Sequence, residues 1–212
     1  MRRFLYRLSQ LWAWFLFLFF YGVRAYGRRN IPRNGPFIVA CTHQSYLDPV
    51  VVGFTCPAPV RYFARRSLFG NPLFAALIRA YGAFAVERET ADLGALRKAL
   101  RFLRGGEAVL LFPEGTRTRD GRIGEVKPGV FLLAERAGVP VVPAVIEGAR
   151  EIWPRKRKMP RFFLPLRILY GKPFRVERGS DVRALCRKLR REYVRGQVRL
   201  LGTMGRRPLE EV

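Results

Sequence analysis

The 212-residue chain contains one histidine, and its neighbours set the first candidate chemistry. Thr42-His43-Gln44-Ser45-Tyr46-Leu47-Asp48 places a carboxylate five residues after the imidazole. Histidine is the usual general base near neutral pH, and a carboxylate bonded to its second nitrogen fixes the tautomer and stabilises the imidazolium. Asp48 has a competing role, because Asp followed by Pro49 is also a good helix N-cap with proline at the first helical position. Cys41, two residues before His43, offers a covalent route with the thiol as nucleophile, set against its reading as a small core residue.

A second constellation is Phe112-Pro113-Glu114-Gly115-Thr116-Arg117. Gly115 permits close backbone approach, Thr116 supplies a hydroxyl, and Arg117 can grip a phosphate through two parallel hydrogen bonds. The alternative is a polar turn in which Glu114 pairs with a neighbouring arginine. The three cysteines, Cys41, Cys56 and Cys186, have neither CxxC nor metal-ligand spacing, so no disulfide framework and no zinc site is expected.

Both constellations need a scaffold that brings them together. Residues 37–41 form a short apolar run bounded by turn signals, which predicts a buried strand, and residues 60–64 predict another. Leu93, Leu96, Leu100 and Leu103 alternate spacings of three and four before Gly105-Gly106, which predicts an amphipathic helix over 90–104. A helix from Pro49, strands over 108–112, 139–146 and 168–170, and a helix over 130–137 ending at Gly138 complete the alternation. A last helix carries Val182, Leu185, Leu189 and Tyr193 behind a Ser180 or Asp181 cap. This pattern predicts an α/β fold, a mixed sheet flanked by helices. Residues past the carboxyl ends of such strands face the ligand crevice, so His43 and residues 112–117 are expected to meet there.

The charge is extreme, 40 Lys+Arg against 16 Asp+Glu for a formal +24, and points to an anionic partner, set against a plain compositional bias toward Arg spread along the chain. Anionic lipid and nucleic acid both satisfy it, but no helix-turn-helix, zinc-finger or RNA-recognition signature is present. Arg155-Lys156-Arg157-Lys158 is the one pure charge run and reads as a solvated loop. Residues 11–23 carry no charge, are rich in Trp and Phe, and are flanked by Arg2, Arg3 and Arg7 and by Arg24, Arg28 and Arg29. A spanning helix needs about 20 apolar residues, so this run predicts an N-terminal membrane-anchoring helix lying in, or re-entering, one leaflet. A signal peptide and a buried core helix compete with that reading. The flanking arginines favour the cytoplasmic surface, where anionic lipid attracts them. The expected division is 1–29 for the membrane helix, 30–202 for the α/β domain and 203–212 for a tail.

Four blocks, in order, resemble those of the glycerophospholipid acyltransferase family, its lysophosphatidic acid acyltransferases in particular. They are His43 with Asp48; Gly82-Ala83-Phe84-Ala85-Val86-Glu87-Arg88; Phe112 to Arg117 followed by Lys127-Pro128-Gly129; and Val139-Pro140-Val141-Val142-Pro143-Ala144. Thr42, Arg65 and Glu87 stand where many members carry Asn, Lys and Asp. The resemblance implies that His43 is a general base supported by Asp48, and that Arg88, Arg117 and Lys127 hold an acceptor phosphate, with Glu114, Gly115 and Thr116 beside them. It also implies a donor thioester, acyl-CoA or acyl carrier protein, a lysophospholipid acceptor, and no metal or bound cofactor. With the N-terminal run and the missing nucleic-acid signatures, the expected partners are these and membrane lipids at the cytoplasmic face of the cell membrane, with no nucleic acid.

Overall fold

The computed structural model describes residues 15, 17–80, 82–86, 93–154, 157 and 159–207. Seven strands form one sheet in the order β1-β7-β6-β2-β5-β3-β4. The strands are β1 (Arg24–Tyr26), β2 (Ile38–Cys41), β3 (Val60–Arg65), β4 (Ala83–Val86), β5 (Ala108–Leu111), β6 (Val141–Glu147) and β7 (Arg167–Tyr170). All neighbours pair in parallel except β6 with β7, so β1 and β7 run against the other five. The mixed sheet flanked by helices is thus observed.

Side-chain alternation along the central strands feeds a separate core on each face. Ile38 and Ala40 join Val109, Val141 and Val145 beneath α3 (Leu93–Arg104), α4 (Gly129–Ala137) and α6 (Val182–Thr203). Val39 and Cys41 join Leu110, Val142 and Ile168 on the other face, against α1 (Asp48–Thr55) and the short α5 (Ala149–Ile152). The remaining helix, α2 (Pro72–Ala80), leads into β4.

Local signals account for the helix ends. Asp181 caps α6, its carboxylate accepting from the Arg183 and Ala184 amides at 2.8 and 3.1 Å. Gly138 closes α4 in the left-handed conformation. Along α6 the apolar stripe is interrupted at Gly196, where a Cβ would stand 2.8 Å from Val145 Cγ2, so the missing side chain lets the helix lie close on β6.

The N-terminal expectation needs correction at its C-terminal end. Residues 17–21 are helical, but the helix stops at Gly22 (φ 48°) and the chain enters the sheet at β1, within the 1–29 stretch assigned to a membrane helix. Tyr21 and Val23 are buried, and the Phe17 ring packs 4.7 Å from that of Phe54 on α1. The Arg24 amide donates to the Leu166 carbonyl and Arg167 Nη1 donates to the Gly22 carbonyl, and these bonds pull the segment onto the domain. The anchoring helix expected over 11–23 lies in its larger part outside the described residues. Among the described residues, no helix is long and apolar enough to cross a membrane.

Candidate active site

β2 and β5 are parallel neighbours with Ala40 opposite Leu111, so the segments that follow them emerge side by side at the carboxyl edge of the sheet. The His43 ring lies on the Phe112 ring with centroids 3.9 Å apart and planes 17° off parallel. His43 Nδ1 sits 2.8 Å from Asp48 Oδ2, with Asp48 fully buried and the imidazole partly open to solvent. The same Oδ2 accepts from the backbone N–H groups of Gln44 and Ser45 at 2.6 and 2.8 Å. Asp48 is therefore not the cap of α1. Leu47 occupies that position, and Asp48, the first helical residue, turns its carboxylate back onto the loop. Two amides that would otherwise be buried unpaired make this the better use of the charge. An imidazole held with Nδ1 toward a carboxylate carries its proton there and leaves Nε2 for chemistry.

Glu114 does not take the arginine-paired alternative. Its Oε1 accepts from the His43 backbone N–H at 2.8 Å and its Oε2 from that of Gly124 at 2.9 Å, so it braces the histidine loop against the following loop rather than pairing with an arginine. Burial pushes its carboxyl above the ordinary value of 4.5, with the two backbone bonds opposing that shift.

The cationic residues gather beside this brace. The Arg117 guanidinium stacks over the Tyr46 ring at 3.6 Å, and its buried Nη1 has no hydrogen-bond partner. Gly115 is left-handed (φ 71°), and a Cβ there would meet Lys127 Nζ at 2.9 Å, which places the Lys127 ammonium against the backbone of the Phe112–Arg117 turn. Thr116 is exposed on that turn. Arg88 lies outside the described residues. An open, mostly apolar pocket of ≈ 190 Å³ lies next to His43's stacking partner, lined by Leu96, Leu111, Phe112, Pro113, Gly115, Lys127, Gly129 and Val130.

Several working residues gave little signal in the sequence. Phe112 and Tyr46 read only as motif filler, yet each stacks on a candidate functional side chain. Gln44 donates to Glu147 Oε2 at 3.1 Å, and Gln197 on α6 donates to the same oxygen at 3.0 Å, tying the histidine loop to the end of β6. An acidic residue closing the all-apolar strand 139–146 was the available sign. The Ser45 hydroxyl donates to the Trp153 carbonyl at 2.7 Å and accepts from Leu47 N–H, so it holds the loop. Cys41 is fully buried on the α1 face of the sheet, and burial, with Asp48 and Glu114 nearby, pushes its thiol well above the usual range. That setting disfavours a thiolate nucleophile. Among the described residues, no group of three or more His, Cys, Asp or Glu is arranged to hold a metal.

Residues 22–147 match the acyltransferase family model. The chain is 32% identical over 128 residues to 1-acyl-sn-glycerol-3-phosphate acyltransferase of Bacillus subtilis (strain 168), covering 60% of this chain and 63% of that one. A chloroplastic 1-acyl-sn-glycerol-3-phosphate acyltransferase of Arabidopsis thaliana is 28% identical over 192 residues, 89% of this chain and 53% of its own length. The human 1-acyl-sn-glycerol-3-phosphate acyltransferase beta is 30% identical over 189 residues, 82% of this chain and 65% of its own. The chain thus spans between 53% and 65% of the length of these relatives. The crystal structure of the 1-acyl-sn-glycerophosphate (LPA) acyltransferase PlsC from Thermotoga maritima superimposes with a TM-score of 0.79 at 26% identity, covering 99% of this chain and 83% of that one.

Proposed function

The chain belongs to the acyltransferase family, and from that premise we propose that it moves a fatty acyl group from a thioester to the 2-hydroxyl of 1-acyl-glycerol-3-phosphate, giving phosphatidic acid. The donor is acyl-CoA or acyl carried on acyl carrier protein. The observation that carries the proposal is the His43–Asp48 pair, 2.8 Å apart, at the strand edge where the Phe112–Arg117 turn also emerges.

In this reading His43 Nε2 takes the proton of the acceptor hydroxyl as its oxygen attacks the thioester carbonyl. The C–S bond then breaks, and the leaving thiolate recovers that proton from the imidazolium. Asp48 keeps the ring oriented and supports its positive form, while Phe112 fixes the ring plane. The unpartnered Nη1 of Arg117 and the Lys127 ammonium are donors for the acceptor phosphate, and Arg88 joins them by family resemblance. Gly115 and Thr116 shape the phosphate side of the mouth, and Glu114 serves by bracing the histidine loop. Holding the phosphate places the hydroxyl against His43, and such positioning can lower a barrier by several kcal/mol. The acceptor is a membrane lipid, so the enzyme works at a bilayer, on its cytoplasmic face where both donor types occur.

The test is an acyl-transfer assay on the full chain that crosses lysophosphatidic acid, glycerol-3-phosphate and other lysolipids with both donor types, read as lipid products. Phosphatidic acid is the expected product, and His43→Ala is expected to lower kcat by about 10³-fold. Absence of phosphatidic acid with either donor, or comparable turnover in the variant, would overturn the proposal.

A further inference from the structure

Among the described residues, the six most exposed large apolar side chains fall in two groups. Phe15, Leu18 and Phe19 near the N-terminus expose 66%, 53% and 66% of their surface, and Met159, Phe162 and Phe163 expose 68%, 50% and 72%. The two groups form one patch: the Phe163 amide donates to the Phe20 carbonyl, and the Phe163 and Phe19 rings stand 6.4 Å apart. Phe163 is also the one non-glycine residue among those described with positive φ, at 61°, a conformation that a bulky side chain adopts only under constraint. The loop is built rather than loose. Arg161 N–H donates to the Ile152 carbonyl, Trp153 Nε1 donates to the Arg157 carbonyl, and Arg157 Nε donates to the Met159 carbonyl.

Basic residues adjoin the patch in a chain of formal charge +24: Arg157, whose Nε bonds the Met159 carbonyl, and Arg161, next in sequence to Phe162, are both exposed. Aromatic side chains bordered by arginines match the apolar boundary and phosphate layer of an anionic bilayer. The loop is joined to the histidine loop as well, through the Ser45 hydroxyl bonded to the Trp153 carbonyl and the Tyr46 and Trp153 rings 5.7 Å apart.

We propose that residue 157 and residues 159–163 form a second lipid-contacting element, which with residue 15 and residues 17–19 seats the catalytic mouth on an anionic phospholipid surface. The inference deepens the reading above and rests on it only for the source of the acceptor. Arg157, taken from the sequence as part of a solvated basic run, thereby acquires a task.

Flotation of the full chain with phosphatidylcholine vesicles, with and without phosphatidylglycerol, provides the test. Phe162→Asn/Phe163→Asn is expected to weaken binding to both vesicle types by about tenfold, and Arg157→Gln/Arg161→Gln to weaken it only where phosphatidylglycerol is present. Turnover of a dispersed short-chain acceptor should stay unchanged in the aromatic variant while turnover of a bilayer-embedded one falls. Should the double variant fail to fold, single Phe163→Asn carries the same test, because Asn tolerates positive φ. Wild-type-like flotation of a folded aromatic variant would overturn the proposal. So would a wild-type dimer, seen in light scattering and lost in the aromatic variant with vesicle binding intact, which would assign the patch to a second copy of the chain. If the wild type transfers no acyl group to any acceptor, the enzymatic reading falls while flotation still judges the loop.

Discussion

Asp48 Oδ2 takes three donors at once, the His43 ring and the amides of Gln44 and Ser45. The imidazole is therefore fixed by the same carboxylate that folds its loop. Arg117 is different, since its guanidinium is positioned by Tyr46 while the buried Nη1 remains unpaired. Arg117→Ala is expected to raise KM for a phosphate-bearing acceptor by about tenfold or more and leave KM for the thioester little changed, because a charge-assisted hydrogen bond is worth about 1.5–3 kcal/mol. Steady-state kinetics with each substrate varied in turn decides it; equal effects on both would remove Arg117 from the phosphate site. Cys41 is the counter-case. Cys41→Ala should keep kcat within a small factor and lower stability by about 1 kcal/mol, as expected for a buried thiol replaced by a small cavity. Loss of turnover in that variant, or an acyl group on Cys41 by mass spectrometry, would restore the covalent route.

Each element around the site has a separable task. β2 and β5 deliver the two loops, and α6 supplies Gln197 to the Glu147 tie from the opposite side. Its N-cap stands apart from the site. Asp181→Ala is expected to cost about 1 kcal/mol of stability in urea titrations, because two amides lose their acceptor, with acyl transfer unaffected. An equal loss of activity would mean that α6 frays as far as Gln197. The helix also shows how a sequence stripe breaks without breaking the helix. Gly196 interrupts the apolar series because Val145 occupies the place its side chain would take.

Burial gives the whole molecule a specific pH response. Glu114 and Glu147 both have carboxyls raised above 4.5, first by desolvation, so the folded state binds these protons more tightly than the unfolded chain. Each therefore stabilises the fold below the unfolded value, and that contribution is lost as pH climbs through the raised folded value. The stability of wild type relative to Glu147→Gln, from urea midpoints across pH, is expected to fall over that window. A flat difference would show that the Gln44 and Gln197 bonds cancel the desolvation. At the same scale the sheet extends to β1, so Tyr21 and Val23 belong to the globular core rather than to a separate anchor.

Five of the seven strands, the helices from Asp48, Leu93, Gly129 and Val182, the α/β class and both loops proposed to carry the chemistry were legible because periodicity and turn residues are local properties; β4 (Ala83–Val86) and the helices Pro72–Ala80 and Ala149–Ile152 were not read. The single histidine and the Phe112–Arg117 turn were likewise visible as residue types in order. What local pattern could not fix was which acceptor each donor chooses once buried. Asp48 reads equally as cap and as partner, and only the placement of the Gln44 and Ser45 amides decides between them. Glu114 reads both as a substrate-side residue and as an arginine partner, and only where β2 and β5 are adjacent does the His43 amide arrive at its carboxylate. β1 is three residues long, too short to show a period, and is a strand only through its pairing with the outer edge of β7. The Phe162–Phe163 pair was invisible for a related reason. Exposure is a property of what the rest of the chain leaves uncovered, and no spacing in the sequence records it.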